Sequence, residues 1–264
     1  MKRRVKSIWG GLLLLFLLAS ASAQAQETVV PPKNLTIGAG LLSASQIDRG
    51  YSPLIFSGLQ GSVEATYSRV GDGREMIWTL GFSSGALQNR HGRNLETLSL
   101  SFLVVTLYQL GESPFRLGWS NDNQFNSRTI DDFLNFTGRS DYFTSFGPAA
   151  KYSHEFGLFG QEFSFGALSH LQLLGFYIPS GYVSSLPSGF GYEPGGFFSS
   201  TVGSAFLFHP GSAVSLGLRP ELQWSWSENS SLAFSYNYEF VALRNVHTSR
   251  RSQGNFLVSL RMGL

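Results

Sequence analysis

A chain of 264 residues with 19 basic and 17 acidic side chains, no cysteine and only 14% charged residues departs from an ordinary soluble domain, which carries about 25% charged residues. The absence of cysteine excludes disulfides, thiolate metal sites and a lipidated cysteine anchor. Aromatic residues reach 14% while mean hydropathy is 0.00, the cancellation expected where apolar and polar side chains alternate along strands.

Lys2, Arg3, Arg4 and Lys6 form a basic opening, residues 12–18 an apolar core, and residues 19–25 a small-residue run offering Ala-x-Ala at Ala21/Ala23 and Ala23/Ala25. Residues 1–25 therefore read as a cleaved signal peptide, because the apolar run falls short of the roughly 18 residues a spanning helix needs. Removing them discards four basic residues and no acidic one, leaving 15 against 17, a net charge of −2. No basic patch then remains to recommend nucleic acid as a partner. Residues 26–264 read as one domain, long for a soluble fold and ordinary for a barrel.

Residues 27–34, with Pro31 and Pro32, read as an extended leader. Residues 35–45 are a weak strand, with Leu35, Ile37, Ala39 and Leu41 alternating against Gly38 and Gly40, and residues 46–56 read as a loop. The pattern then sharpens: Val63, Ala65 and Tyr67 face away from Gln60, Ser62, Glu64 and Thr66, and Gly71-Asp72-Gly73 marks a tight hairpin. Met76, Trp78, Leu80 and Phe82 lead to a return strand over 95–108, a turn at Gly111-Glu112-Ser113-Pro114, and a strand beginning at Phe115, Leu117 and Trp119. Residues 121–139 are polar and aperiodic and read as a loop. Strands over 142–155 and 162–174 follow, joined by a turn at 157–160, and a second long loop covers 178–196. A strand over 197–208 and the turn His209-Pro210-Gly211-Ser212 precede three long alternating segments in residues 211–264. Period-two alternation over a dozen residues exceeds the usual globular strand of five or six and suits a tilted strand crossing a bilayer.

Ten strands are clear and 35–45 makes an eleventh, but single-chain barrels of this kind carry an even number. One further strand hidden in 175–196 restores parity. The expected fold is all-β, a transmembrane antiparallel up-and-down β-barrel of about twelve strands, with ten as the alternative.

The faces opposite the apolar ones carry Glu64, Arg116, Lys151, Glu155, Glu162, His170, Arg219, Glu221, Glu239 and Arg261, expected to line the lumen. Glu239 and Arg261 lie on neighbouring strands and are expected to pair across the ladder. Such mixed charge either fills a narrow lumen or sets the selectivity of a small pore. On the apolar faces Trp78, Trp119, Trp224, Trp226, Tyr236 and Tyr238 are candidates for membrane girdles. A catalytic base must reach the hydroxyl it activates; His247 and Ser249 are the one His–Ser pair spaced by two, and no acid is placed to orient them. Asp131 and Asp132 with Asp122 offer carboxylates for a calcium ion, but solvated loop acids are the expected reading. No metal-ligand spacing, phosphate loop or cofactor motif emerges.

The signal peptide, the hairpin series and the terminal amphipathic strand together resemble outer-membrane β-barrel proteins of Gram-negative bacteria, at the level of the class. The resemblance covers nearly all of the chain after the signal. It implies an outer-membrane location reached through export, contact with outer-membrane lipid and lipopolysaccharide, and handling by the barrel assembly machinery. The last strand keeps its alternation and ends in Leu264, where the class commonly carries an aromatic residue. Three functions follow as expectations: a non-catalytic pore, transport, structural or binding barrel; a lipid-acting hydrolase of phospholipase or lipid A deacylase type; and a soluble secreted β-protein.

Overall fold

The computed structural model describes residues 33–49, 52–71, 73–130, 139–179, 206–244 and 249–264. Twelve strands are found among them: β1 (Lys33–Asp48), β2 (Ser52–Gly71), β3 (Arg74–Gln88), β4 (Asn94–Gln109), β5 (Phe115–Thr129), β6 (Arg139–Leu158), β7 (Gln161–Gln172), β8 (Leu174–Pro179), β9 (Phe206–Phe208), β10 (Ala213–Ser227), β11 (Ser230–Leu243) and β12 (Ser249–Gly263). Ten of them close into an antiparallel barrel in the order β1 to β7, then β10 to β12, with β12 returning to β1. The other two form a rim. β8 takes over from β7 along the upper part of β6 after a bulge at Leu173, and β9 pairs with β8.

The ladder fixes the stagger. Partner by partner, it runs from Glu155 of β6 through Ser164, Gln223, Ala233 and Ser259 to Gly38. It continues through Glu64, Gly81, Ser101 and Gln124 and re-enters β6 at Phe143, twelve residues from its start. At about 3.3 Å per residue and about 4.8 Å between strands, this tilts the strands by about 40°. Four short connections, Lys33 and Leu264 lie at one end of the barrel, here the turn end; the strand ends that flank residues 130–138 and 180–205 lie at the other, the loop end.

Several expectations need correction. Residues 121–129 are not loop but the upper half of β5. The alternation is present there, but its contrast is weak: Asp122, Gln124, Asn126 and Arg128 are buried inward, while Asn121 and Asn123 flank Phe125 on the outward side. Residues 46–56 are mostly strand as well, since β1 runs to Asp48 and β2 begins at Ser52. The weak N-terminal segment is a full 16-residue strand. Gly40 earns its place on the inner face, where an added Cβ would fall 1.8 Å from the Phe256 carbonyl oxygen. Of the strand expected over 197–208, the described part is the three-residue rim strand β9, and the hidden strand of 175–196 is represented by the six-residue β8. Twelve strands are present as expected, of which ten, the alternative count, close the barrel, and the strand ends that flank 130–138 and 180–205 lie at the same end. Residues 1–32 and His247 lie outside the described residues, as do Asp131 and Asp132.

The alternation gives the wall two unlike faces. Outward, the side chains include Leu41 (57% exposed), Leu59 (66%), Leu218, Phe102 and Phe256 (66%), a continuous apolar band far larger than the patches soluble monomers expose. Inward, buried serines, threonines, amides and paired charges alternate with small apolar clusters.

Candidate functional site in the lumen

Four belts of polar side chains cross the lumen. Nearest the turn end, Glu75 is 2% exposed and receives both Lys151 Nζ at 2.5 Å and Arg116 Nη1, while Arg116 Nε donates to Gln109 at 2.7 Å. Above it Arg219 holds Glu64 on β2 and lies 3.6 Å from Glu221. The third belt centres on Glu239. Its Oε1 accepts from Gln124 Nε2 and, at 3.3 Å, from Arg251 Nη2, and its Oε2 accepts from Gln253 at 2.7 Å. Arg251 also donates to Asn126 Oδ1 at 2.5 Å and to Gln124 Oε1, and Gln124 Nε2 donates to Asp122 at 2.7 Å. Closest to the loop end, Arg128 bridges Asp48 of β1 at 3.2 Å and Asp141 of β6.

Among these bonds, Arg219–Glu64, Gln124–Glu239, Arg251–Asn126 and Arg128–Asp48 join strands that are not neighbours in the sheet, so they exist only once the barrel has closed. Taking such charges out of water costs several kcal/mol per ion unless geometry and further hydrogen bonds compensate; here each cation meets two or more acceptors or an acid, which is what compensation requires. Apolar clusters occupy the space between. Leu42, Ala44, Phe56, Leu87, Leu95 and Ile130 pack at the loop end, and Ile77, Val105, Leu107 and Ala149 toward the turn end.

Among the described residues, a file of small cavities runs between the belts. One of about 120 Å³ is lined by Glu64, Glu75, Asp122, His170, Arg219 and Glu239 among others. A second, of about 60 Å³, shares Gln124 and Glu239 with it, and a third, of about 40 Å³ near the loop end, shares Asn126 and Arg251 with the second. Arg251 and its partners are therefore the partition between the middle of the barrel and its loop end.

Of the residues expected in the lumen, Glu64, Arg116, Lys151, His170, Arg219, Glu221, Glu239 and Arg261 are all on the inner face. Glu155 and Glu162 share its parity but are exposed at the turn-end rim. Glu239 and Arg261 do not pair: their ladder partners are Gln253 and Ser231, Glu239 binds the diagonally placed Arg251, and Arg261 donates to Gln223. His170 bonds Gln172 at 3.1 Å and lies over Gly217, where a Cβ would be 1.9 Å from its Nε2. The lumenal residues that alternation did not single out are Asp48, Glu75, Asp141, Arg128 and Arg251, together with the Asp122–Gln124 pair.

The outward aromatics divide by height. Trp78, Trp119, Trp224 and Trp226 lie within four residues of the turn-end terminus of their strands. Tyr236 and Tyr238 are six and eight residues into β11, and Tyr236 packs on Phe256 at 4.5 Å. Ser249 lines the loop-end cavity. Among the described residues no group of three His, Asp or Glu could hold a metal ion, and no serine is hydrogen-bonded to a histidine ring.

No protein family matches this sequence, and no curated protein matches it. Among solved structures the barrel is similar to the outer membrane protease OmpT from Escherichia coli, with a TM-score of 0.59 at 8% identity over 92% of this chain and 100% of that one. It also matches the translocator domain of the autotransporter NalP from Neisseria meningitidis (TM-score 0.43, 9% identity, 98% of this chain and 96% of that one). A third match is the toluene transporter TodX from P. putida (TM-score 0.38, 9% identity, 88% and 90%). At such identities the likeness is one of fold. The chain has the closed up-and-down barrel of Gram-negative outer-membrane proteins.

Proposed function

We propose that this protein is a non-catalytic outer-membrane barrel with a sealed lumen, a structural or binding barrel rather than an open pore. The turn end faces the periplasm and the loop end the exterior, because short turns at one end and long connections at the other are the usual arrangement of such barrels. Export by the basic, apolar and small-residue segments of residues 1–25 accounts for how it reaches that membrane. The apolar outer band supports membrane residence, since in lipid a closed barrel leaves no backbone group unpaired at an edge.

One observation carries the sealed reading. Even the roomiest of the three lumenal cavities is about 120 Å³, where pockets for drug-sized ligands span roughly 300–1,000 Å³. A second reading, a narrow path gated at Arg251, is favoured by the alignment of those cavities on either side of that side chain. Planar-bilayer recording of the purified protein tests both. The sealed reading expects a flat trace for the wild type; steady unitary currents overturn it. The gate reading adds that Arg251→Ala conducts where the wild type is silent, and fails if both are silent.

A further inference from the structure

Among the described residues, lysine and arginine on the outer wall at the turn end are confined to one side. Lys33 of β1, Arg69 of β2 and Arg74 of β3 share the outward parity of Leu35, Tyr67 and Met76, and all three are exposed. Lys33 and Arg69 stand directly opposite each other across the β1–β2 ladder. Arg69 in turn opposes Met76, two residues from Arg74 on the same face. Like charges directly opposed on a sheet repel. Among the described residues no carboxylate forms an ion pair with any of the three, although the Leu264 N–H bonds the Lys33 carbonyl at 3.0 Å.

Just inside this trio toward the apolar band lies a layer of rings. Tyr67 and Trp78 are 5.4 Å apart, and the Arg74 guanidinium lies 6.0 Å from the centre of the Tyr108 ring. Across the barrel, the same level of β6, β7 and β10 presents Phe156, Phe163, Phe165, Trp224 and Trp226 with no lysine or arginine on the outward face.

We infer that Lys33, Arg69 and Arg74 bind the phosphate of an anionic diacyl phospholipid in the leaflet that meets the turn end, with its acyl chains along Leu35, Tyr67 and Trp78. A phosphate set between Lys33 and Arg69 turns an opposed like-charge pair into two attractions, and the arginine forks suit its oxygens. Tyrosine and tryptophan rings sit at headgroup depth, so the phosphate and the trio meet at one level. This inference rests on the membrane reading above.

The test uses the full chain in mild detergent, with folding checked by circular dichroism, and native mass spectrometry during titration with phosphatidylglycerol, phosphatidylethanolamine or inorganic phosphate. The wild type is expected to prefer phosphatidylglycerol over phosphatidylethanolamine by roughly tenfold or more, as three near-surface cations allow. The Lys33→Gln, Arg69→Gln, Arg74→Gln triple variant is expected to lose that preference, and an Arg244→Gln, Arg250→Gln variant at the loop end to keep it. The proposal is overturned if the triple variant keeps the preference, if the loop-end variant loses it equally, or if inorganic phosphate binds as tightly as the lipid. A protein that stays soluble without detergent defeats the membrane reading itself, and so is told apart from failure of this site alone.

Discussion

The inner and outer walls of the barrel are built from the same ten strands, yet they follow opposite rules. On β10, Leu218 faces outward in the apolar band while Arg219, the next residue, points inward between Glu64 and Glu221. Outside, each side chain answers to its surroundings singly; inside, the residues work as belts whose members come from strands up to half the barrel apart. What can be read one residue at a time outside must be read as pairs inside.

The comparison predicts unequal costs. Arg128→Ala is expected to cost the most, roughly 3–5 kcal/mol, because it leaves Asp48 and Asp141 buried without the cation that bridges them. Urea unfolding in detergent or liposomes measures it, and a cost below about 1 kcal/mol would mean the inner wall is as tolerant as a surface. Leu218→Arg comes next at roughly 2–4 kcal/mol, the cost of placing at the bilayer midplane a residue that is native one position along. Urea unfolding in liposomes measures it, and a cost below about 1 kcal/mol would mean that the outer wall does not face lipid.

The smallest effect lies where neither wall is involved. Phe159, in the turn between β6 and β7, is 94% exposed and holds a φ of 53°, a left-handed conformation that bulky side chains adopt at a cost. Phe159→Gly relieves it and is expected to stabilise the barrel by about 1 kcal/mol. A loss of stability instead would show that this ring is held by contacts in the membrane-proximal setting.

How much of this was legible in the sequence follows the same division. The last three strands declare themselves because most outward positions are apolar and most inward ones polar, with Ala233, Val241 and Leu257 as inward exceptions, and Glu64, His170, Arg219 and Glu239 follow from parity alone. The upper half of β5 does not, since Asn121 and Asn123 on its outer face bond each other, Thr144, Tyr142 and the Ser145 carbonyl, which removes the hydrophobic contrast that marks a strand. Missing that half-strand hid Asp122, Gln124 and Arg128, and with them two of the four belts. The pairing of Glu239 with Arg251 rather than Arg261 depends on ladder register, and the reach of Arg128 from β5 to β1 depends on closure. Neither quantity is written in any local pattern.

Because the chain has no cysteine of its own, single cysteines along β11 probe both walls at once. In liposomes, Phe234→Cys and Tyr236→Cys are predicted to react with a lipid-soluble maleimide and not with a bulky charged one, while Ser235→Cys and Asn237→Cys resist the charged reagent inside a sealed lumen. Rapid labelling of the two inward positions by the charged maleimide would contradict the sealed barrel, and rapid labelling of the two outward positions would contradict the membrane-facing wall.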